Sequence, residues 1–380
     1  MHSRPKGMIW TKNILITGAK GFIGKNLIIE LKNRGFTDLF EYDIDTDPSL
    51  LNDYCKDAEF VFHLAGVNRA DTREEFLQGN YGFTSTLLDR LKEWNNTCPV
   101  MISSSIQAVL DNEYGKSKKA GEDLILQYAK DTGAEVFIYR FPNVFGKWCK
   151  PNYNSAIATF CYNIARGLPI TVINPEVVLK LVYIDDLVEE LVRALHGEAN
   201  KKGDLCEVPK VYQISLSEIT DLIYSFERSR RELSIPDMSN SLTKKLYSTF
   251  LSYLPEKELS IPLKTNADHR GSFTEFIKTK ERGQISVNII KPGYIKGNHW
   301  HHTKCEKFLV VKGTGVIRLR KIGTETIIKY FVNGDVLEVV DIPVGFVHNI
   351  INLGETDLVI LMWANECFDP DKPDTYYMEV

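Results

Sequence analysis

The sequence predicts an α/β domain built on a doubly wound parallel sheet, followed by a separate all-β barrel. Three observations carry that expectation. The first half alternates short apolar runs with stretches of helical periodicity, the pattern of strand–helix–strand units. From about Leu263 the texture changes to short strands separated by glycine turns at regular spacing, which suits a barrel. At 380 residues the chain also exceeds what one hydrophobic core usually serves.

The elements follow in order. Asn13 to Thr17 is a short apolar strand, and Phe22 to Arg34 places Ile23, Leu27, Ile28 and Leu31 at helical spacing. Strands are expected at 39–43, 59–64, 99–103 and 135–139, with helices at 74–78, 85–94 and 116–129 between them. A helix carrying Leu187, Leu191 and Leu195 follows Asp185, and 209–254 reads as mostly helical, with the polar run Arg228-Ser229-Arg230-Arg231. Residues 253–262 read as a linker between a 12–252 domain and a 263–380 domain. In the latter, strands are expected at 284–290, 307–311, 315–320, 325–331, 336–340 and 358–363.

Bulk properties exclude several classes. A net charge of −4 without a basic run gives no footprint for nucleic acid. No apolar stretch is long enough to span a membrane. Met1 to Lys12 reads as a leader of little structural weight and lacks a signal-peptide layout, so a cytoplasmic protein is expected. Seven cysteines without paired spacing read as reduced thiols.

Chemistry begins at Gly18-Ala19-Lys20-Gly21-Phe22-Ile23-Gly24, which follows a strand and opens a helix. Glycines allow the tight turn and the close approach of a pyrophosphate, and the helix N-terminus supplies free N–H groups to it. The spacing is Gly-x2-Gly-x2-Gly, a Rossmann-like dinucleotide loop. Asp43 lies 19 residues beyond Gly24, at the expected end of the second strand. A carboxylate there bonds the 2′-hydroxyl of an adenosine ribose and repels a 2′-phosphate, which favours NADH over NADPH.

Tyr114-Gly115-Lys116-Ser117-Lys118 puts Tyr114 and Lys118 one helical turn apart on one face. With 17 tyrosines in the chain, Tyr-x3-Lys is a weak signal alone. Its position strengthens it: Ser103-Ser104-Ser105 ends the fourth strand just upstream, at the carboxyl edge where such sheets bind ligands.

Together with Leu181-Val182-Tyr183-Ile184-Asp185-Asp186, these features resemble an extended short-chain dehydrogenase/reductase, over about residues 12–252. His63-Leu64-Ala65-Gly66 and Arg140-Phe141-Pro142-Asn143 are similar to that family's cofactor-lining segments, and Asn80 joins the cofactor set. The resemblance implies a nucleotide-sugar enzyme in which Tyr114 gives a proton to a ketone oxygen. Lys118 would hold the cofactor ribose and favour the phenolate of Tyr114. A serine hydroxyl would polarise the carbonyl, Ser105 first and Ser104 as the alternative. Asn143, Tyr153 and Asn154 would touch substrate.

Four of the eight histidines lie at His299, His301, His302 and His348. Imidazoles at i and i+2 on a strand point the same way, so His299 and His301 pair, and Glu306 and His348 complete a set of N/O ligands for a divalent ion such as zinc. The segments Gly293–Gly313 and Pro343–Asn352 resemble the two motifs of the cupin family, with these four residues at its ligand positions. Eight residues separate Gly334 from Pro343, a stretched second motif. His302 points away from His301 on a regular strand, and Cys305 reads as a small buried residue rather than a soft ligand. A bound dication would acidify the proton beside a ketone, which is the basis of epimerisation. Candidate bases by chemical type are His302, Tyr294 and Tyr330.

The whole chain resembles the bifunctional capsular-polysaccharide enzymes of the UDP-N-acetyl-L-fucosamine pathway. Runs that carry this are Ile102–Ala108, Lys147–Ser155 and Gly297–Lys304. The resemblance implies that the cupin domain inverts C3 of a UDP-2-acetamido-2,6-dideoxy-4-hexulose. The reductase domain then reduces the C4 ketone to a UDP-2-acetamido-2,6-dideoxy-L-talose. It also implies NADPH, with NADH as the alternative that Asp43 favours, and a homodimer. Two other readings stay open: a plain reductase with a cupin used for dimerisation or sensing, and a nucleotide-sugar epimerase or dehydratase that recycles a bound nicotinamide.

Overall fold

The computed structural model describes residues 11–70 and 72–380. Most of the expected leader, Met1 to Trp10, lies outside the described residues. The chain divides into two compact units. One takes the described residues up to Tyr224 with Ser239–Pro255, and the other takes Ser225–Met238 with Glu256–Val380.

In the first unit, β1 (Ile14–Thr17), β2 (Leu39–Tyr42), β3 (Phe60–His63), β4 (Val100–Ser105) and β5 (Val136–Phe141) form a parallel sheet in the order β2-β1-β3-β4-β5. The helices are α1 (Phe22–Asn33), α2 (Leu50–Asp57), α3 (Arg73–Leu77), α4 (Phe83–Glu93) and α5 (Glu113–Thr132). The central strands are mostly apolar and buried because both faces are covered. Ile14, Ile16, Phe60, Phe62, Phe137 and Tyr139 pack on one side, with Leu27, Ile28 and Leu31 of α1. Leu15, Val61, Val100, Ile102 and Ile138 pack on the other, with Leu87, Leu88 and Leu91 of α4 and Ile125 and Tyr128 of α5. Each fully buried leucine or phenylalanine contributes roughly 1.5–3 kcal/mol against exposure.

The helix expected at 116–129 runs longer, from Glu113 to Thr132. Asn112 caps it by accepting from Gly115 N at 2.7 Å, and Gly133 closes it at φ +76°. This start puts Tyr114 in the first turn. A second, three-stranded sheet, which the sequence pattern did not reveal, joins β6 (Asn143–Phe145), β7 (Val178–Tyr183) and a later strand. Helices α6 (Ala156–Ile164) and α7 (Ile184–Leu195) flank β7 in the chain. Two-residue strands β8 (Lys201–Lys202) and β9 (Leu205–Cys206) extend the main sheet. The stretch 209–254 begins as strand β10 (Tyr212–Ser215), the third member of the small sheet, and continues as α8 (Leu216–Arg231) and α9 (Ser241–Leu251). The only regular turn between α9 and the next strand is Glu256–Glu258.

The second unit is a cupin barrel of two antiparallel sheets. Its strands are β11 (Thr265–Asp268), β12 (Gly271–Thr279), β13 (Gly283–Ile290), β14 (Ile295–Trp300), β15 (Glu306–Lys312), β16 (Thr314–Lys321), β17 (Ile327–Asn333), β18 (Val339–Ile342), β19 (Phe346–Asn352), β20 (Leu358–Ala364) and β21 (Tyr376–Tyr377). The orders are β11-β12-β13-β20-β15-β18 and β17-β16-β19-β14-β21. Ile290, Phe308, Val310, Ile317, Leu319, Ile350 and Ile360 make its core. The strand expected at 336–340 sits at 339–342, since the polar turn after Asn333 takes Asp335 and Val336. No helix among the described residues is long and apolar enough to cross a membrane. All seven cysteines are free.

Candidate active site and metal centre

The strand order reverses between β1 and β3, the point where open α/β sheets leave a ligand crevice at their carboxyl ends. The two loops there meet backbone to backbone: a Cβ on Gly18 (φ +69°) would lie 2.7 Å from Ala65 N. A Cβ on Gly24 would lie 2.3 Å from Gly18 O, so that glycine serves the close turn of the loop against α1. Gly21 caps α1, Phe22 and Ile23 begin it, and no acid occupies the first turn to compete with a phosphate. His63 bridges Thr17 Oγ1 and Thr84 Oγ1, each at 2.8 Å. Burial pushes its imidazole down to about 3, so it is a neutral pin from β3 to β1 and α4.

Asp43 falls just past β2. Its carboxylate accepts from Lys20 N at 2.7 Å and Ile44 N at 2.8 Å, which ties the end of β2 to the glycine loop. Lys20, the cation of that loop, pairs with Asp45. After β3 come Leu64, Ala65 and Gly66. A Cβ on Gly66 would stand 2.8 Å from Asn80 Oδ1 and 2.9 Å from Lys118 Nζ, so glycine keeps the approach to that amine open. Buried Asn80 accepts from Val67 N at 2.9 Å and donates to Val67 O and Ser117 Oγ. These residues fit a dinucleotide: free helix N–H groups for its phosphates, an open cradle beside an ammonium, and a carboxylate at the ribose end.

Tyr114 and Lys118 lie on one face of α5. The Lys118 Nζ donates to Ser103 O at 3.2 Å and stands 5.9 Å from the centre of the Tyr114 ring. Burial pushes this amine down to about 8. Burial also raises the Tyr114 phenol above its ordinary value, opposed by a hydrogen bond with Ser105. The Tyr114 hydroxyl donates to Asn68 Oδ1 at 3.0 Å. The two candidate serines differ. Ser104 Oγ donates to buried Glu122 at 2.6 Å, whereas Ser105 Oγ accepts from Gln107 N and neighbours Tyr114. Glu122 also takes both Arg140 Nε at 2.8 Å and a terminal nitrogen at 2.6 Å.

Phe141 is buried at the end of β5, and Asn143 beside it donates to Lys180 O at 3.3 Å. Tyr153 and Asn154 are exposed on the loop before α6, where Arg69 donates to Tyr153 O at 3.3 Å. Asn68 and Glu122 were missed in the sequence. Glu122 had a signal, since it follows Tyr114 and Lys118 at one further turn of the same helix face; Asn68 had none.

In the barrel, the ligand atoms of His299, His301, Glu306 and His348 all lie within 4.8 Å of one another. Four donors bonded at about 2.0–2.2 Å to a tetrahedral zinc stand roughly 3.3–3.6 Å apart, so the cluster would contract by about an ångström at its widest to ligate one. His299 and His348 sit opposite each other in the β14–β19 pairing, where a bulge follows Gly297. His301 lies one residue past the end of β14, and Glu306 opens β15. The Nε2 atoms of His301 and His348 approach Glu306 Oε2 at 3.5 and 3.1 Å without hydrogen-bond geometry. Those three atoms and His348 Nδ1 are buried without a hydrogen-bond partner, an arrangement that a cation satisfies. Burial, then His348, pushes His299 down to about 4. Burial works to raise the Glu306 carboxyl, but His301 and His348 overrule it and hold it well below the carboxylate range. Three imidazoles and one carboxylate are a zinc-type donor set. Cys305 is half-buried and outside this cluster, and His302 packs against Trp300 and Tyr376 instead. Tyr294 stands edge-on to His269, and Tyr330 is partly exposed on β17.

Residues 14–214 match the model of the NAD dependent epimerase/dehydratase family. The chain belongs to that family. Residues 266–376 match the polysaccharide biosynthesis C-terminal domain. The chain is 42% identical over 367 residues to the UDP-2-acetamido-2,6-beta-L-arabino-hexul-4-ose reductase of Pseudomonas aeruginosa, covering 97% of this chain and 98% of that protein. It is 54% identical to the capsular polysaccharide assembling protein CapF of Staphylococcus aureus, with a TM-score of 0.92 over 97% of this chain and 100% of that one. These full-length relatives place the chain among the capsular UDP-sugar reductases and epimerases of the family. The enzyme WbmF of Bordetella bronchiseptica, solved with NADH, matches 64% of this chain and 91% of its own at 19% identity and a TM-score of 0.54, a likeness of fold.

Proposed function

We propose that this protein is a bifunctional UDP-sugar enzyme. Its cupin unit epimerises C3 of a UDP-2-acetamido-2,6-dideoxy-4-hexulose. Its reductase unit then reduces the C4 ketone to the UDP-2-acetamido-2,6-dideoxy-L-talose. The observation that supports this reading is the coexistence, in one chain similar throughout to a 4-ketoreductase, of Tyr114 and Lys118 on one helix face at the sheet's crevice and of a four-residue cluster that could hold a metal ion.

In the reductase unit, the cofactor when bound supplies the hydride for the ketone carbon. Tyr114 gives its phenolic proton to the ketone oxygen, which leaves an alcohol. Ser105 donates to that oxygen as charge develops. Lys118 holds the ribose and stabilises the phenolate that Tyr114 becomes. Asn80 and Gly66 keep the crevice shaped for the ribose, and Phe141 belongs to the cofactor contacts in this reading. Asn143, Tyr153 and Asn154 are the substrate contacts in this reading. The resemblance favours NADPH, with NADH the alternative on the side of Asp43.

In the cupin unit, His299, His301, Glu306 and His348 would hold a divalent ion, zinc by donor type. When bound, such an ion supplies Lewis acidity that makes the proton beside the ketone labile. The pocket gathers three imidazoles and one carboxylate within 4.8 Å of one another.

The test is incubation with the UDP-4-keto-6-deoxy sugar in D2O without nicotinamide, followed by NMR. Deuterium at C3, abolished by a chelator, is expected. No uptake, with cofactor still consumed on the same sugar, would leave a single-step reductase with a non-catalytic cupin.

A further inference from the structure

Ligand residues on short strands are held only as well as their neighbours hold them, and in the second unit the neighbours come from the end of the chain. The Asp374 carboxylate accepts from three consecutive backbone N–H groups: His302 at 2.9 Å, Thr303 at 2.7 Å and Lys304 at 2.8 Å. It also accepts from Thr303 Oγ1 at 3.0 Å. The backbone carbonyl of the same residue accepts from His301 Nδ1. Two residues later β21 pairs with β14, setting Tyr377 opposite His299 and Tyr376 opposite Trp300. Tyr376 stacks on Trp300 at 5.0 Å and meets His302 edge-on at 4.9 Å.

We infer that Asp374 is a positioning residue of the metal centre and that the segment Asp374–Tyr377 is a strap over two of its ligands. A proton fixed on His301 Nδ1 by the Asp374 carbonyl leaves Nε2 with its lone pair directed at the cluster. The carboxylate fixes the turn 302–304, which sets the separation between His301 at one end and Glu306 at the other. Tyr377 and Tyr376 hold the β14 edge on which His299 stands. No other described residue binds both this turn and a ligand imidazole. This inference rests on the metal reading of the four ligands.

The experiment uses the full chain. Zinc affinity is measured by chelator competition for the wild-type protein, Asp374→Ala and Asp374→Asn. Each is also loaded with cobalt(II) and its visible spectrum recorded, and each metal-free form is melted. Asp374→Ala is expected to bind zinc ten- to hundredfold more weakly and to show altered cobalt bands. Its metal-free melting temperature should stay within a few degrees of the wild type. Asp374→Asn keeps one acceptor oxygen and should fall between. Wild-type zinc affinity and cobalt bands in Asp374→Ala overturn the inference. Should Asp374→Ala fail to fold, Asp374→Asn decides: weaker zinc binding supports the role, and unchanged binding overturns it. A wild-type protein that binds neither ion overturns the metal reading itself.

Discussion

Ser104 Oγ donates to Glu122 Oε1 at 2.6 Å, and the same carboxylate carries Arg140 through two bonds. The Ser104 proton is therefore engaged beneath the sheet edge, in a buried ion pair, while the next serine along the strand neighbours the Tyr114 hydroxyl. Ser105→Ala should cost roughly 10²–10³-fold in the reduction rate, the loss of one aligned donor to a developing oxyanion. Ser104→Ala should instead lower stability, with a small effect on the rate. Steady-state rates and denaturant melts of both variants check this, and equal rate losses would sink the assignment.

Tyr114→Phe removes the proton donor and the bond to Asn68 but keeps the ring. Reduction should fall roughly 10²–10⁴-fold. Deuterium exchange at C3, located in the other unit, should persist. Loss of both would show that the two activities are not independent.

Asp43 meets Lys20 N and Ile44 N through different oxygens, so each oxygen retains capacity for a ribose hydroxyl. Asp43→Ala should raise the NADPH-to-NADH ratio of kcat/KM by about tenfold, the equivalent of one charge-assisted hydrogen bond. Fluorescence titration with each dinucleotide provides the same comparison without turnover. An unchanged ratio would mean that Asp43 serves the loop alone.

His348→Ala should lower metal content by elemental analysis, since both ring nitrogens of His348 lie buried without a partner in the cluster. Undiminished stoichiometry would remove it from the ligand set.

The Lys118 amine, pushed down to about 8 by burial, gives a pH prediction. Below that value it is an ammonium and attracts the dinucleotide; above it the charge is lost. Dinucleotide affinity should decline as pH rises through about 8 and a little beyond, because the bound anion favours the charged form. The decline should be absent in Lys118→Met. For stability the sign is also fixed. The folded amine binds its proton more weakly than the unfolded one, so this group's penalty is fully present below about 8. It is relieved as pH rises toward the ordinary lysine value.

What could be read in advance followed local periods. Tyr114, Lys118 and the overlooked Glu122 share a helix face because 3.6 residues make a turn. The buried strands were legible because apolar runs on a two-sided sheet need no alternation, as Ile14, Leu15 and Ile16 show by dividing between two cores. The sequence argument set His299 and His301 together on a strand, but β14 ends at Trp300, so His301 reaches the cluster from a turn.

The two fold classes, the glycine loop and the Tyr-x3-Lys spacing were readable in the sequence, and the resemblance to cupins pointed to the four residues that cluster in the barrel. The glycine loop and the Tyr-x3-Lys pair are local spacings, and local spacing survives without knowledge of the fold. The tertiary structure decided what depends on pairing distant segments. It gave Ser104 to Glu122, set His299 against His348, and brought Asp374 to the turn beyond His301, 73 residues away. Strand register across such separations is set by which faces bury together, and no short stretch of sequence contains that information.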